Sequence, residues 1–307
     1  MWNQYIIPNG VPENVTDSLT FNGKIYAAPY SIIYSALVYN KDVFDKYNLK
    51  EPETFEEFEK LCQTLVDNGV TPMGVDAGNG LWGFKWFECL LAAYDPQLYL
   101  DICENKIKYT DERVVEVMNK WKEMYDKGFF SIPMDPTDLH KAEATGEIAM
   151  QEAADYEAVN LNDNFGAGNY GTFVMPTVSS DIKRTVFFEI APVCVAKNSA
   201  DKGSAMEVLK AWYEKDNQTV FNEVTKFNCS SNVEISNNCA KEMTDFAMDA
   251  DNYNLMLRYY ENVANTEIRD VAIDQLLKFE LGDATVEEAL NTIQAKADEV
   301  LGEGYAD

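Results

Sequence analysis

Gly23-Lys24-Ile25-Tyr26-Ala27-Ala28-Pro29-Tyr30, running on to Tyr39-Asn40-Lys41-Asp42-Val43-Phe44, is the stretch whose reading decides the fold. Lys24–Ala28 and Ile32–Tyr39 are rich in β-branched and aromatic residues and predict two strands. A helix signal follows. Thr54 stands three positions before Glu57, the spacing of a capping box, and Phe55, Phe58, Leu61, Cys62 and Leu65 fall on one helical face. Gly69 supplies the stop.

The alternation continues downstream. Trp86–Ala93 and the apolar face Val114, Val117, Met118, Trp121, Met124 and Tyr125 predict two more helices. Ile148–Gln151, Thr172–Met175 and Phe187–Ala196 predict strands, with Ala154–Leu161 helical. A long helical region starts at about Ala200, and beyond the Cys229–Cys239 loop the chain reads as almost wholly helical. It ends in an amphipathic helix with Thr285 as N-cap and Glu288 closing the box. Strands alternating with helices predict an α/β layering with a helix-heavy tail.

The 307 residues carry 25 Lys and Arg against 52 Asp and Glu, a net charge of −27. Such a surface repels phosphate backbones and anionic lipid, which argues against nucleic-acid and membrane-surface partners. No apolar run approaches the roughly 18 residues of a membrane span. Met1-Trp2-Asn3-Gln4-Tyr5 lacks the basic start and apolar core of an export signal. The six cysteines include no Cys-x-x-Cys pair, and His140 is the only imidazole, so a structural zinc site is not expected. Cys229 and Cys239 are close enough in sequence to bridge in an oxidising compartment; idle thiols are the plainer reading.

Catalytic and cofactor signals fall away in turn. Gly166-Ala167-Gly168-Asn169-Tyr170-Gly171 has the letters of a dinucleotide loop, but no strand precedes it and no helix follows. Asp249, Asp251 and Tyr253 miss the pattern of a calcium loop and read instead as an acid-rich helix start. No Gly-x-Ser-x-Gly elbow occurs. With 52 acids some pair always stands at a glycosidase separation, so no single pair is informative. Aromatic residues make up 12% of the chain, and several, Trp82 among them, sit beside glycine in loops. Flat rings near amides and carboxylates suit the C–H faces and hydroxyl rims of sugars.

Three separated stretches carry a resemblance: the opening one, Gly146-Glu147-Ile148-Ala149-Met150, and Gly282-Asp283-Ala284-Thr285-Val286-Glu287-Glu288-Ala289. Their order resembles the family 1 extracellular solute-binding proteins, the sugar-capturing subunits of bacterial ABC importers. The resemblance implies a helix-rich α/β, two-lobe periplasmic-binding-protein-like (type II) fold with the first lobe incomplete. It places residues 1–32 and 177–232 in the first lobe and residues 33–176 and 233–307 in the second. It implies capture of a sugar or short oligosaccharide between the lobes, without catalysis, metal or cofactor, and delivery to ABC permease subunits in the membrane.

Tyr156 stands where the family has a stacking tryptophan six residues after the strand methionine, and Phe188 and Glu189 replace a glycine pair. Tyr156, Trp82 and Trp86 are the expected stacking or wall residues, Ser31 and Tyr34 hinge-side polar contacts, and Glu189 a hydroxyl acceptor. The resemblance also implies an extracytoplasmic, lipid-anchored full-length form, with self-association covering the incomplete lobe. The alternatives are a glycoside hydrolase or lyase using an acidic aromatic cleft, or the same fold binding a peptide, polyamine or other polar solute.

Overall fold

The structure is a computed structural model, and it describes residues 2–11, 15–80, 82–165, 169–227, 233–302 and 304–306. A small hairpin pairs β1 (Thr20–Phe21) with β2 (Lys24–Ile25). Its turn residues Asn22 and Gly23 have φ of +50° and +70°, the left-handed pair that a two-residue hairpin turn requires.

The main sheet is organised by β3 (Ala28–Asn40), a strand of 13 residues. The others are β4 (Thr71–Gly74), β5 (Ile148–Ala154), β6 (Tyr170–Phe173), β7 (Arg184–Val193) and β8 (Tyr253–Leu257). Their order is β4-β5-β3-β7-β8, with β6 also on β3. β3 is antiparallel to β5, β6 and β7, whereas β4–β5 and β7–β8 are parallel. The long strand changes partner along its length. Its first part, to Ser35, runs beside β7, and Leu37–Asn40 runs beside β6.

Successive side chains of a strand point to opposite faces, and here that alternation sorts two cores. Leu37 and Tyr39 enter the larger core; Ile32, Tyr34, Ala36 and Val38 enter the smaller one. The larger core is covered by helices Phe55–Asp67, Lys85–Tyr94, Pro96–Cys103, Glu112–Asp126, Thr266–Glu280 and Val286–Leu301. The smaller is closed by helix Asp155–Phe165, through Ala158 and Leu161, and by helix Asn238–Met248, through Cys239, Met243 and Ala247. Each fully buried Leu, Ile or Phe side chain stabilises the fold by roughly 1.5–3 kcal/mol relative to exposure.

Helices Lys202–Trp212 and Lys215–Thr225 attach to the start of β3. The Tyr213 hydroxyl donates to the Pro29 carbonyl, and Trp212 stacks on Tyr30 with ring centroids 4.5 Å apart.

Several expectations need correction. The first strand is only Lys24–Ile25, and β3 begins already at Ala28. The helical region from Ala200 is two helices, broken at Tyr213 and Glu214. The tail is not wholly helical, because β8 pairs with β7. Asp249 starts no helix: it ends Asn238–Met248, and its carboxylate accepts from Asn252 Nδ2 at 2.7 Å, making the turn into β8. The Thr285 box is complete, whereas at Thr54 only half forms, since Glu57 accepts from the Glu53 amide instead. Cys239 is a buried free thiol; Cys229 and Gly166–Gly168 lie outside the described residues.

Candidate functional site

The richest chemistry lies where the N-terminus of helix Lys85–Tyr94 meets the ends of β5, β7 and β8. Lys85 and Glu88 are buried although they belong to an otherwise apolar helix. Buried charges persist only when paired and hydrogen-bonded, and the partners come from across the sequence. Lys85 Nζ lies 3.4 Å from Asp76, 3.5 Å from Glu157 and 3.8 Å from Glu152. Arg258, just past β8, donates through Nη1 to Glu88 at 2.7 Å and through Nη2 to Glu152. The second Glu88 oxygen accepts from the Tyr259 amide at 2.7 Å.

These partners decide the protonation states. Burial works against the Lys85 ammonium, but Glu157, Glu152 and Asp76 outweigh it and hold its pKa above the ordinary lysine value. Burial likewise opposes the Glu157 carboxylate, yet Lys85 and the Ala154 amide keep its pKa below the glutamate value. At Asp155 the nearby Tyr34 and Tyr156 amides do not outweigh burial. Burial, with Glu189 and Glu157 nearby, pushes it up to about 8.

Aromatic rings sit over this network. Lys85 Nζ lies 5.2 Å from the centroid of the half-buried Trp82 ring, and Trp82 meets Phe84 and Tyr260 edge-on at 5.7 and 6.0 Å. Gly83 makes this possible: a Cβ there would come 2.7 Å from the backbone nitrogen of Leu277, so only glycine lets the loop lie on helix Thr266–Glu280. The Tyr260 hydroxyl donates to Glu189 on β7, and Glu261 accepts from the Ile190 amide at 3.1 Å. Tyr156 packs edge-on against Phe227 at 5.5 Å, and burial raises its phenol pKa with help from Glu157. Trp82 and Tyr260 thus meet beside Lys85 and Glu189, and Tyr156 lies close enough to feel the charges of Glu157, Lys85 and Glu189. This meeting of half-buried rings and carboxylates is the candidate notch.

Of the residues expected from sequence, Trp82, Tyr156 and Glu189 are brought together here. Ser31 and Tyr34 are buried within β3, Tyr34 in the smaller core. Trp86 does not line the notch. Its ring is 2% exposed and packs edge-on against Phe130 at 5.0 Å in the larger core, because helix Lys85–Tyr94 is buried all round. Sequence reading missed Lys85, Glu152, Asp155, Glu157, Arg258 and Tyr260. The available signal was a lone cation inside each of two apolar runs, Trp82–Tyr94 and Leu255–Tyr260.

Among the described residues no group of three or more His, Cys, Asp or Glu side chains is placed to hold a metal ion. Nor is any helix among them long and apolar enough to cross a membrane.

Residues 5–238 match the family described as "Bacterial extracellular solute-binding protein". An uncharacterized ABC transporter extracellular-binding protein of Pyrococcus horikoshii is 26% identical over 153 residues, 48% of this chain and 36% of that protein. The multiple sugar-binding protein of Streptococcus mutans is 28% identical over 127 residues, 39% of this chain and 30% of that protein. These alignments thus span about a third of the length of the relatives. A solved structure named as a chitin oligosaccharide binding protein superposes with a TM-score of 0.79 at 18% identity, covering 92% of this chain and 74% of that one. That likeness shows the fold, a helix-rich α/β architecture of the two-lobe periplasmic-binding-protein type.

Proposed function

The chain belongs to the bacterial extracellular solute-binding proteins, and from that premise we propose that it captures a sugar or short oligosaccharide in the notch between Trp82, Tyr156, Tyr260 and Glu189. The observation that carries the reading is the convergence of three half-buried rings and a carboxylate over a floor held rigid by Lys85 and Arg258. Aromatic faces take the C–H faces of a pyranose, and carboxylate oxygens take its hydroxyls. Preorganised walls lower the ordering cost of binding.

The same proposal divides the chain into a first lobe of residues 1–32 and 177–232 and a second of 33–176 and 233–307. Two features support it. β3 crosses the boundary at Ile32 and Ile33, where it pairs with Ile190 and Glu189 of β7, and Glu189 of the first set touches Tyr260 of the second. A solute gripped from both sides favours the closed arrangement because its contacts exist only there. Release to ABC permease subunits, outside the cytoplasm and without chemical change to the sugar, completes the reading.

Replacing Tyr156 by alanine tests it. Calorimetry with the cognate saccharide is expected to show at least a tenfold loss of affinity, about 1.4 kcal/mol, with the melting temperature shifted by a few degrees at most. Unchanged affinity removes Tyr156 from the site.

A further inference from the structure

We infer that the solute taken by this notch carries a cationic nitrogen, and that the ligand class is an amine-bearing saccharide. The inference rests on the carbohydrate reading above and goes beyond it in naming the charged group.

The cations of the network are already committed. Lys85 is shared by Asp76, Glu152 and Glu157, and Arg258 by Glu88 and Glu152. Asp155 and Glu261 each lie close enough to Glu189 to feel its charge, and none of the three takes part in an ion pair among the described residues. Glu189 accepts only the neutral Tyr260 hydroxyl, and Glu261 a backbone amide.

Asp155 is a second, independent observation. It is fully buried at the start of helix Asp155–Phe165, and neither carboxylate oxygen has a hydrogen bond of normal geometry, although the Tyr34 and Tyr156 amides lie nearby. Its charge neighbours are Glu189 and Glu157, the acids that also raise the Tyr156 phenol. A buried carboxylate without a partner is costly, and a surplus of carboxylates around it adds to the cost. An ammonium group would answer both. Glu189 can accept one of its three donors, its charge offsets the surplus that the buried Asp155 feels, and the faces of Tyr156 and Tyr260 attract a cation as well as a sugar ring. Without a cation, burial holds protons on Asp155 and Glu261; an ammonium would take the place of those protons, whereas a neutral sugar supplies hydroxyl donors and leaves them bound.

The test uses two saccharides that differ at one position per ring. The β-1,4-linked glucosamine disaccharide has an ammonium at C2 where cellobiose has a hydroxyl. Titration calorimetry of the chain at neutral pH should give at least a tenfold preference for the aminated disaccharide, weakened by added salt. In Glu189→Gln that preference should shrink severalfold, while circular dichroism and melting temperature report an intact fold. Equal or tighter binding of cellobiose overturns the inference and leaves the carbohydrate reading standing. Binding of putrescine with no binding of either disaccharide keeps the cationic site and sinks the carbohydrate reading. No binding of any of the three probes overturns the inference.

Discussion

Two amphipathic helix pairs, one of 15 and 16 residues and one of 11 residues each, end in opposite situations. Thr266–Glu280 and Val286–Leu301 bury Ile268, Ala272, Leu276, Leu290 and Ile293 in the larger core. Lys202–Trp212 buries no residue, and Lys215–Thr225 buries only Gln218 and Asn222. Those two amides face inward to bond the Trp212 and Phe227 carbonyls, while Val208 and Val224 stand 72% and 76% exposed. Between the second pair lies an open cavity of about 530 Å³, lined by Trp212, Val220 and Phe221 among others. An amphipathic pattern therefore states that a face wants cover; it does not state that the chain supplies it. The notch belongs to the covered region, and its precision comes from packing that the exposed pair does not have.

The largest effect should come from the covered region. Arg258→Met leaves Glu88 and Glu152 buried without their cation, and urea unfolding should show a loss of about 3–5 kcal/mol. A loss below about 1 kcal/mol would mean that the network is not held as described, and the contrast between the two regions would weaken.

A pH series sharpens the contrast further. Burial, aided by neighbouring acids, raises Asp155 to about 8 and Glu261 to about 7. In both, the native state holds a proton that the unfolded chain has already released. Their contribution is full below the ordinary carboxylate values of 3.8 and 4.5, and it is lost as pH rises towards about 8 and 7. Stability should therefore fall between pH 5 and pH 8, by up to about 1.4 kcal/mol per pH unit for each group. Asp155→Asn should flatten the curve measured by thermal unfolding. A slope unchanged in that variant would show that Asp155 is not the group responsible.

The smallest effect belongs to the exposed pair. Val224→Lys should change the unfolding free energy by no more than about 0.5 kcal/mol. A cost of 2 kcal/mol or more would reveal that this face is covered in solution and that the two helix pairs are alike after all.

What could be read from the sequence follows the same division. Elements whose signal is local were legible: the Thr285 box, the apolar face from Phe55 to Leu65, and the β3 run from Ile32 to Tyr39. β8 was hidden behind the acidic turn at Asp249, and its five residues are too few to separate strand from helix by periodicity. At the site, Tyr156 and Glu189 were singled out by the family resemblance and Trp82 by its glycine neighbours. Their supports were not. Glu88 and Arg258 lie 170 residues apart, and nothing local in either run tells which distant charge will answer it. Trp86 shows the converse: an aromatic residue beside a site residue is consumed by the core when its helix is buried on every side.

The most direct measurement is a crystal structure of the chain soaked with the disaccharide that binds it. Sugar density is expected against Tyr156 and Tyr260, with a ligand group on Glu189. Density confined to the apolar cavity at Trp212 and Val220, with the Trp82–Tyr260 notch unchanged, would contradict it.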